Sequence, residues 1–259
     1  MPDISLTMLI VLCLAAGAAG WIDAVVGGGG LLLLPALLLG LPHVPAAHIL
    51  GTNKAVSIVG TSGAAVTYAR KAPVKVKTAV RIGLAALAGS MTGAFFAAGI
   101  SSAVLRPVIL VVLVGVAAFV MLKPAFGTGA GGQTVTRART VTAIVLVGGG
   151  IGLYDGLFGP GTGTFLVLAL TAVLHLDLVT ASATAKIVNV CTNAGALAMF
   201  SYQGNVMWQL AAIMAVFNLA GGMLGARMAL RKGSEFVRGV LLVVVFSLVA
   251  KLAFDQWNA

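Results

Sequence analysis

Charge is what this sequence has least of. Of 259 residues six are acidic and sixteen are Lys or Arg, and 8% charged stands against 60% hydrophobic at a mean hydropathy of +1.10. So little polar surface cannot coat a water-soluble globule, and lipid is the solvent that the composition implies. The polar alternation of a membrane-spanning strand is missing from the apolar runs, which leaves helices to make the crossings. Cysteine is confined to Cys13 and Cys191, both inside apolar runs, where a buried thiol is the ordinary finding and a disulfide or metal pair is not. No Lys or Arg precedes Lys54, so the basic start of a secretory signal is lacking and the first apolar run reads as a retained membrane helix. A nucleotide-binding motif is lacking too, which leaves gradients or a separate subunit to drive any transport.

What is present is a series of apolar runs: Leu6 to Val26, Val44 to Ala69, Val80 to Leu105, Val108 to Leu122, Ile144 to Leu157, Val179 to Phe200, Leu210 to Met228 and Val237 to Leu252. They approach or reach the roughly 20 residues of a spanning helix. The formal charge of +10 sits in short segments between these runs, not on an amphipathic face with interleaved aromatics. It reads as a device for orientation in the membrane, not as a nucleic-acid surface.

The chain repeats itself at an offset of 132 positions. Without a gap, that offset pairs Asp23 with Asp155, Gly27 with Gly159, His43 with His175, Thr52 with Thr184, Lys54 with Lys186, Gly89 with Gly221, Gly93 with Gly225 and Arg106 with Arg238. Apolar matches are cheap in a membrane protein; aligned Asp, Lys and Arg are not. The expected organisation is a first repeat over 1–125, a Gly-rich linker over 126–136 and a second repeat over 137–259.

Equivalent loops carry opposite charge bias. Arg70, Lys71, Lys75, Lys77 and Arg81 form a basic loop whose counterpart, Tyr202 to Gln209, is uncharged; the segment around Arg227, Arg231 and Lys232 is basic where its counterpart is not. If Lys and Arg mark the cytoplasmic side, the halves are inserted upside down relative to each other. Parity then needs an odd number of crossings between 140 and 201, met either by a re-entrant hairpin over Val141 to His175 plus one crossing, or by three full crossings. Either way 12 of the 16 basic residues are cytoplasmic and both termini face outward. The expected fold is an all-α integral membrane protein of two inverted repeats, each a glycine-broken hairpin, re-entrant or spanning, plus about three transmembrane helices.

Two signals mark the functional region. The first is the pair of breaks, Gly27-Gly28-Gly29-Gly30 and Gly159-Pro160-Gly161-Thr162-Gly163. A helix interrupted in hydrocarbon exposes backbone N–H and C=O groups, which is tolerated where protein, water or a ligand satisfies them. The helices resuming at Leu31 and about Thr164 would aim their positive N-terminal ends into a shared site, which suits an anion. The alternative is that these glycines only permit close packing, the reading preferred for Gly89, Gly93, Gly221 and Gly225. The second signal is ionisable: Asp23 with Lys54, and Asp155 with Lys186, each 31 residues apart. Charges in a membrane pair or face water, so these groups either touch substrate or a coupling proton, or form salt bridges pinning each broken helix to its neighbour. Lys186, Asn189 and Asn193 share one helical face. The candidate substrate-binding set is Gly28, Gly29, Gly30, Thr52, Asn53, Lys54, Gly159, Gly161, Thr162, Gly163, Thr184, Lys186, Asn189 and Asn193, with Asp23 and Asp155 as ion-coupling or salt-bridge residues. The second half carries the richer polar stripe, so substrate is expected nearer Gly159 to Gly163 and Lys186. Trp21 is an interfacial, packing or cavity residue. His43 and His175 read as boundary residues, and no metal site is read from the spacing of His43 and His48.

These residues resemble the sulfite exporter TauE/SafE family of bacterial and archaeal membrane transporters. The resemblance rests on "GWIDAVVGGGG" (20–30) followed by Pro35 and "GTNK" (51–54), and on "GLYDGLFGPGTGTF" (152–165) leading to "ASATAKIVNVCTN" (181–193). It implies a multi-pass protein of the bacterial inner membrane that moves small sulfur-containing or organic anions, such as sulfite or sulfonates, without a bound cofactor. The expected function is a secondary transporter, an exporter working by alternating access around the broken helices, with protons as a candidate coupling ion. The alternative is a passive anion channel. An intramembrane enzyme would need a nucleophile and base in register, and no helix face brings paired carboxylates or a Ser-His-Asp set together.

Overall fold

A computed structural model describes residues 4–72, 74–122 and 136–257. All regular structure among them is helical. The elements are α1 (Leu6–Val26), α2 (Gly29–Gly40), α3 (Ala46–Ala69), α4 (Val76–Gly99), α5 (Ser102–Leu122), α6 (Arg137–Thr142), a π-helical stretch (Ala143–Gly150), α7 (Ile151–Leu157), α8 (Thr162–Leu174), α9 (Leu178–Tyr202) and α10 (Trp208–Trp257). Of the expected linker only Thr136 is described, where its hydroxyl caps α6 by accepting the Arg139 N–H; the rest lies outside the described residues.

The boundaries repeat with the sequence. Shifted by 132, the α1 to α2 break falls on the α7 to α8 break, and α3 falls on α9. α4 and α5 together fall on α10, whose 50 residues are interrupted at Gly233 (φ 73°, ψ −167°). Gly233 is the equivalent of Ser101, which stands between α4 and α5. Glycine is the residue that adopts such a backbone without a Cβ clash.

Among the described residues, four stretches are long and apolar enough to cross a membrane: Leu6–Val26, Val76–Gly99, Arg137–Leu157 and Trp208–Val237. α3 and α9 are 24 and 25 residues long but carry Lys, Asn and Thr, and these two central helices bury those polar groups. The outer helices expose Leu14, Leu39, Leu84, Phe95, Val145, Val216 and Leu224, the apolar face that a bilayer requires.

Contacts between helices show how they run. A Cβ placed on Gly29 would lie 2.6 Å from the Ala19 carbonyl oxygen, and one on Gly40 would lie 3.0 Å from Met8 Sδ, so α2 doubles back along α1. The start of α3 meets the end of α9, where a Cβ on Gly51 would lie 3.0 Å from Phe200 Cβ; these helices are antiparallel. α1 runs parallel to the first part of α10 through Gly17, Trp21, Gly221 and Gly225, and the π-helical stretch with α7 runs parallel to α4 through Gly149, Leu153, Gly89 and Gly93. The second packing is the first with the two repeats exchanged. Glycine on both sides lets backbones touch where dispersion and weak contacts, not the hydrophobic effect, hold helices together.

One glycine pair tests this packing with an internal control. A Cβ on Gly20 would fall 2.2 Å from the Asn218 carbonyl oxygen, whereas one on Gly17, a turn earlier, makes an ordinary 3.6 Å contact with the Phe217 carbonyl oxygen. Gly20→Ala is expected to destabilise by about 1–3 kcal/mol through overpacking, and Gly17→Ala to be neutral or stabilising by up to roughly 1 kcal/mol. Melting of the detergent-purified variants checks both.

Candidate functional site

The two helix breaks meet. Gly27 (φ 81°) ends α1 and Gly159 (φ 88°) follows α7, and the segments beyond them touch backbone to backbone, with the Thr164 N–H donating to the Gly27 carbonyl at 3.0 Å. A Cβ on Gly163 would lie 2.5 Å from Gly27 Cα, so no larger residue fits at that crossing.

The carbonyls freed at the end of α1 are satisfied one after another. That of Asp23 accepts the Gly27 N–H at 2.8 Å and the Lys186 ammonium. The Tyr68 hydroxyl donates to Ala24 at 3.0 Å, Ser182 to Val25 at 3.3 Å and Thr164 to Val26 at 3.0 Å. The second break is served more locally: Tyr154 donates to the Pro160 carbonyl and Thr162 to that of Gly159. The positions equivalent to Tyr68, Ser182 and Thr164 are Phe200, Leu50 and Leu32, none of which can donate. The breaks are therefore alike at Gly27 and Gly159, unlike at Gly161 (φ 73°), whose equivalent Gly29 already stands in α2, and unlike in how they are held.

Two ion pairs clamp the crossing. Lys54 Nζ lies 2.6 Å from Asp155 Oδ1, with both side chains 2% exposed, and Lys186 Nζ lies 2.9 Å from Asp23 Oδ2, with exposures of 0% and 15%. Each joins a lysine of one repeat to the aspartate of the other. The pairing inside each half, 31 residues apart, is thus not the one formed; each lysine reaches across because the two broken ends face each other. Asp23 Oδ2 also accepts from Thr61 at 3.1 Å. Asp155 is less well served: its Oδ2 has no hydrogen-bond partner among the described residues, and neither does Asn53 Oδ1.

Between the breaks lies a cavity of about 20 Å³, room for about one water. Of the residues expected from the sequence it brings together Gly29, Gly30, Asn53 and Lys54 with Gly159, Thr162, Gly163, Asn189 and Asn193, and both Asp23 and Asp155. Gly29, Gly30 and Gly163 stand in the first turns of α2 and α8, where N–H groups lack acceptors within the helix. Gly28 and Gly161 shape the breaks without lining the cavity. Thr52 instead accepts the Met207 N–H at 3.0 Å, and Thr184 donates to the Thr180 carbonyl of its own helix at 2.8 Å. Lys186 is spent behind the cavity on Asp23. The cavity therefore draws on both halves, with Lys54 and not Lys186 lining it.

Residues that the sequence reading passed over also belong here. Ser57 and Asn218 line the cavity. Ser57 is the positional equivalent of Asn189, and Asn218 anchors its amide on the Ala16 carbonyl at 2.8 Å; a lone Asn in an apolar run was the available signal. Arg106, used only as a repeat marker, donates to the carbonyls of Leu38 at 3.3 Å, Leu41 at 3.2 Å and Val44, tying α5 to the exit of the first hairpin. Trp21 packs, its indole N–H on Met228 Sδ at 3.2 Å and its ring edge-to-face with Phe236.

A family model for "Sulfite exporter TauE/SafE" matches residues 12–252. The chain belongs to the sulfite exporter TauE/SafE family. It is 33% identical over 256 residues, 98% of this chain and 96% of the other, to the probable membrane transporter protein ORF9 of Sinorhizobium sp. Over 254 residues it is 31% identical to a probable membrane transporter protein of Haemophilus influenzae, covering 98% of each chain. Over 253 residues it is 31% identical to the probable membrane transporter protein YfcA of Escherichia coli, covering 98% of this chain and 92% of the other. No solved structure matches the chain. Family membership and apolar helices together make it a multi-pass bacterial inner-membrane transporter.

The crossed pairing has a direct test. Lys54→Met alone leaves a buried carboxylate unpaired, at a cost of roughly 3–5 kcal/mol. Adding Asp155→Leu is expected to recover most of that loss, and adding Asp23→Leu is not. Melting midpoints check this, and equal rescue by Asp23→Leu contradicts the pairing.

Proposed function

We propose that this transporter is a secondary exporter of small sulfur-containing or organic anions, such as sulfite or sulfonates, and that its cavity between the helix breaks is the substrate site. The observation that carries the reading is the convergence of two helix N-termini, Lys54 and four asparagines on one enclosed point. Helix N-termini and an ammonium both favour an anion. The repeats 1–125 and 137–259 are read as inverted, a reading supported by the antiparallel α3 and α9 and by the exchanged packing of α1 on α10 and α7 on α4.

A sulfur oxyanion is larger than the one water that the cavity admits, so binding requires the breaks to part. The same closure argues for a carrier over a channel, because no open pore is needed when one element rocks against another. Lys54 is occupied by Asp155, so an anion must take Lys54 from the carboxylate. A proton on Asp155 makes that exchange balance: the bond from Lys54 to the carboxylate gives way to one from Lys54 to the anion, and the neutral acid no longer needs the ammonium as its counter-charge. Each monoanion then moves with one proton. The step is electroneutral, and export runs down the combined gradients of the anion and the proton.

A thermal-shift screen against sulfite, thiosulfate, sulfonates and carboxylates is expected to stabilise the parent protein by about 2.7 kcal/mol at a hundred times the dissociation constant. The variant Lys54→Gln with Asp155→Asn keeps the shape and is expected to lose that response. In proteoliposomes, efflux of a monoanion is expected to ignore an imposed voltage and to respond to a pH gradient. Voltage-driven efflux that is blind to pH contradicts the proton step, and an unchanged ligand response in the double variant contradicts the site.

A further inference from the structure

A second cavity, of about 720 Å³, lies between α3 and the first part of α10, away from the helix breaks. Its size is that of a built ligand pocket. One wall is apolar, formed by Val59, Val66, Leu219 and Met223 among others; Val59 and Val66 are 37% and 53% exposed and so look outward to the bilayer. One end carries four cations, Arg70, Lys71, Arg227 and Arg231. None of the four has an ion pair among the described residues.

The repeat shows that the fold does not demand these charges. Shifted by 132, Arg70 and Lys71 correspond to Tyr202 and Gln203, and Arg227 and Arg231 to Phe95 and Gly99. The equivalent helix pair, α9 with α4, packs with no charge at any of these positions. The positive-inside rule accounts for the sign and the side of the four cations. It does not account for their convergence on one end of an apolar cleft.

We infer that this cleft is a binding site for an anionic phospholipid, its phosphate held by the Arg and Lys side chains and an acyl chain laid along the valine wall. Guanidinium groups recognise phosphate through paired N–H donors, and basic pockets between transmembrane helices at the cytoplasmic face attract anionic headgroups. A small water-soluble anion would leave the exposed valines uncovered; an amphiphile satisfies both ends of the cleft at once. Because the cleft joins α3 to α10, a bound lipid stabilises that helix pair.

Native mass spectrometry of the full chain in detergent, titrated with phosphatidylglycerol or phosphatidylcholine, tests this. Phosphatidylglycerol is expected to be retained at least about tenfold more strongly than phosphatidylcholine. The variant Arg227→Gln with Arg231→Gln is expected to weaken its retention by about thirtyfold, at roughly one kilocalorie per basic side chain near the surface and tenfold per 1.4. Val66→Trp fills the apolar wall, leaves every charge in place and faces lipid, so it folds; it is expected to abolish retention. Equal binding of the two lipids overturns the inference, as does undiminished retention in Val66→Trp. Displacement of phosphatidylglycerol by glycerol 3-phosphate at similar concentration overturns it too, since it would mark a site for soluble anions.

Discussion

A helix that stops inside a bilayer has to find partners for the backbone groups it frees, and this fold is organised around meeting that demand twice. Each unpartnered group would cost several kcal/mol in hydrocarbon, which no single hairpin of this length can absorb. At the end of α1 the solution is nearly complete. Successive carbonyls from Asp23 to Gly27 are taken by Lys186, Tyr68, Ser182 and the hydroxyl and N–H of Thr164. Four of these five donors come from the other repeat, so neither half can satisfy its break alone. The duplicated chain is in this sense one structure and not two.

The crossed ion pairs follow from the same geometry. With the breaks face to face, the nearest counter-charge to each buried lysine belongs to the opposite repeat. Two lysines and two aspartates sum to zero charge at the crossing, which lets them stay in a low-dielectric setting. Under the proposed anion reading, neutrality also means that the anion must replace a carboxylate or come with a proton. The two pairs differ in their readiness for that. Asp23 is held by Lys186 and Thr61, while Asp155 keeps an unpartnered oxygen at the cavity wall. Phe200, Leu50 and Leu32, where the first break has hydroxyl donors, leave the second break with fewer fixed contacts. The half of the site with less to break is the half that carries Asp155.

Much of this was legible in the sequence. The gapless offset of 132 located equivalent elements to within a residue or two, because Asp, Lys and Arg are too scarce in an apolar chain to align by accident. The glycine runs marked the breaks for a backbone reason that needs no tertiary information. What the offset could not give was contact. It states which residues are equivalent, not which copy each one touches, so the pairing within each half and the weight placed on Lys186 both missed the exchange between repeats. Thr52 and Thr184 looked like site residues by their neighbours, yet their hydroxyls are used within the fold. Asn218 is the lone Asn in the apolar run Leu210 to Met228 and Arg106 stands alone between two runs; isolation of that kind was the legible clue to their roles.

The central claim is that an anion takes Lys54 only as Asp155 takes a proton. Proton uptake measured directly in a weakly buffered detergent solution of the purified protein, as a saturating monoanion is added near neutral pH, tests it most directly. The account predicts about one proton taken up per anion bound in the parent protein and none in Asp155→Asn. Anion binding with no proton uptake in the parent would contradict it.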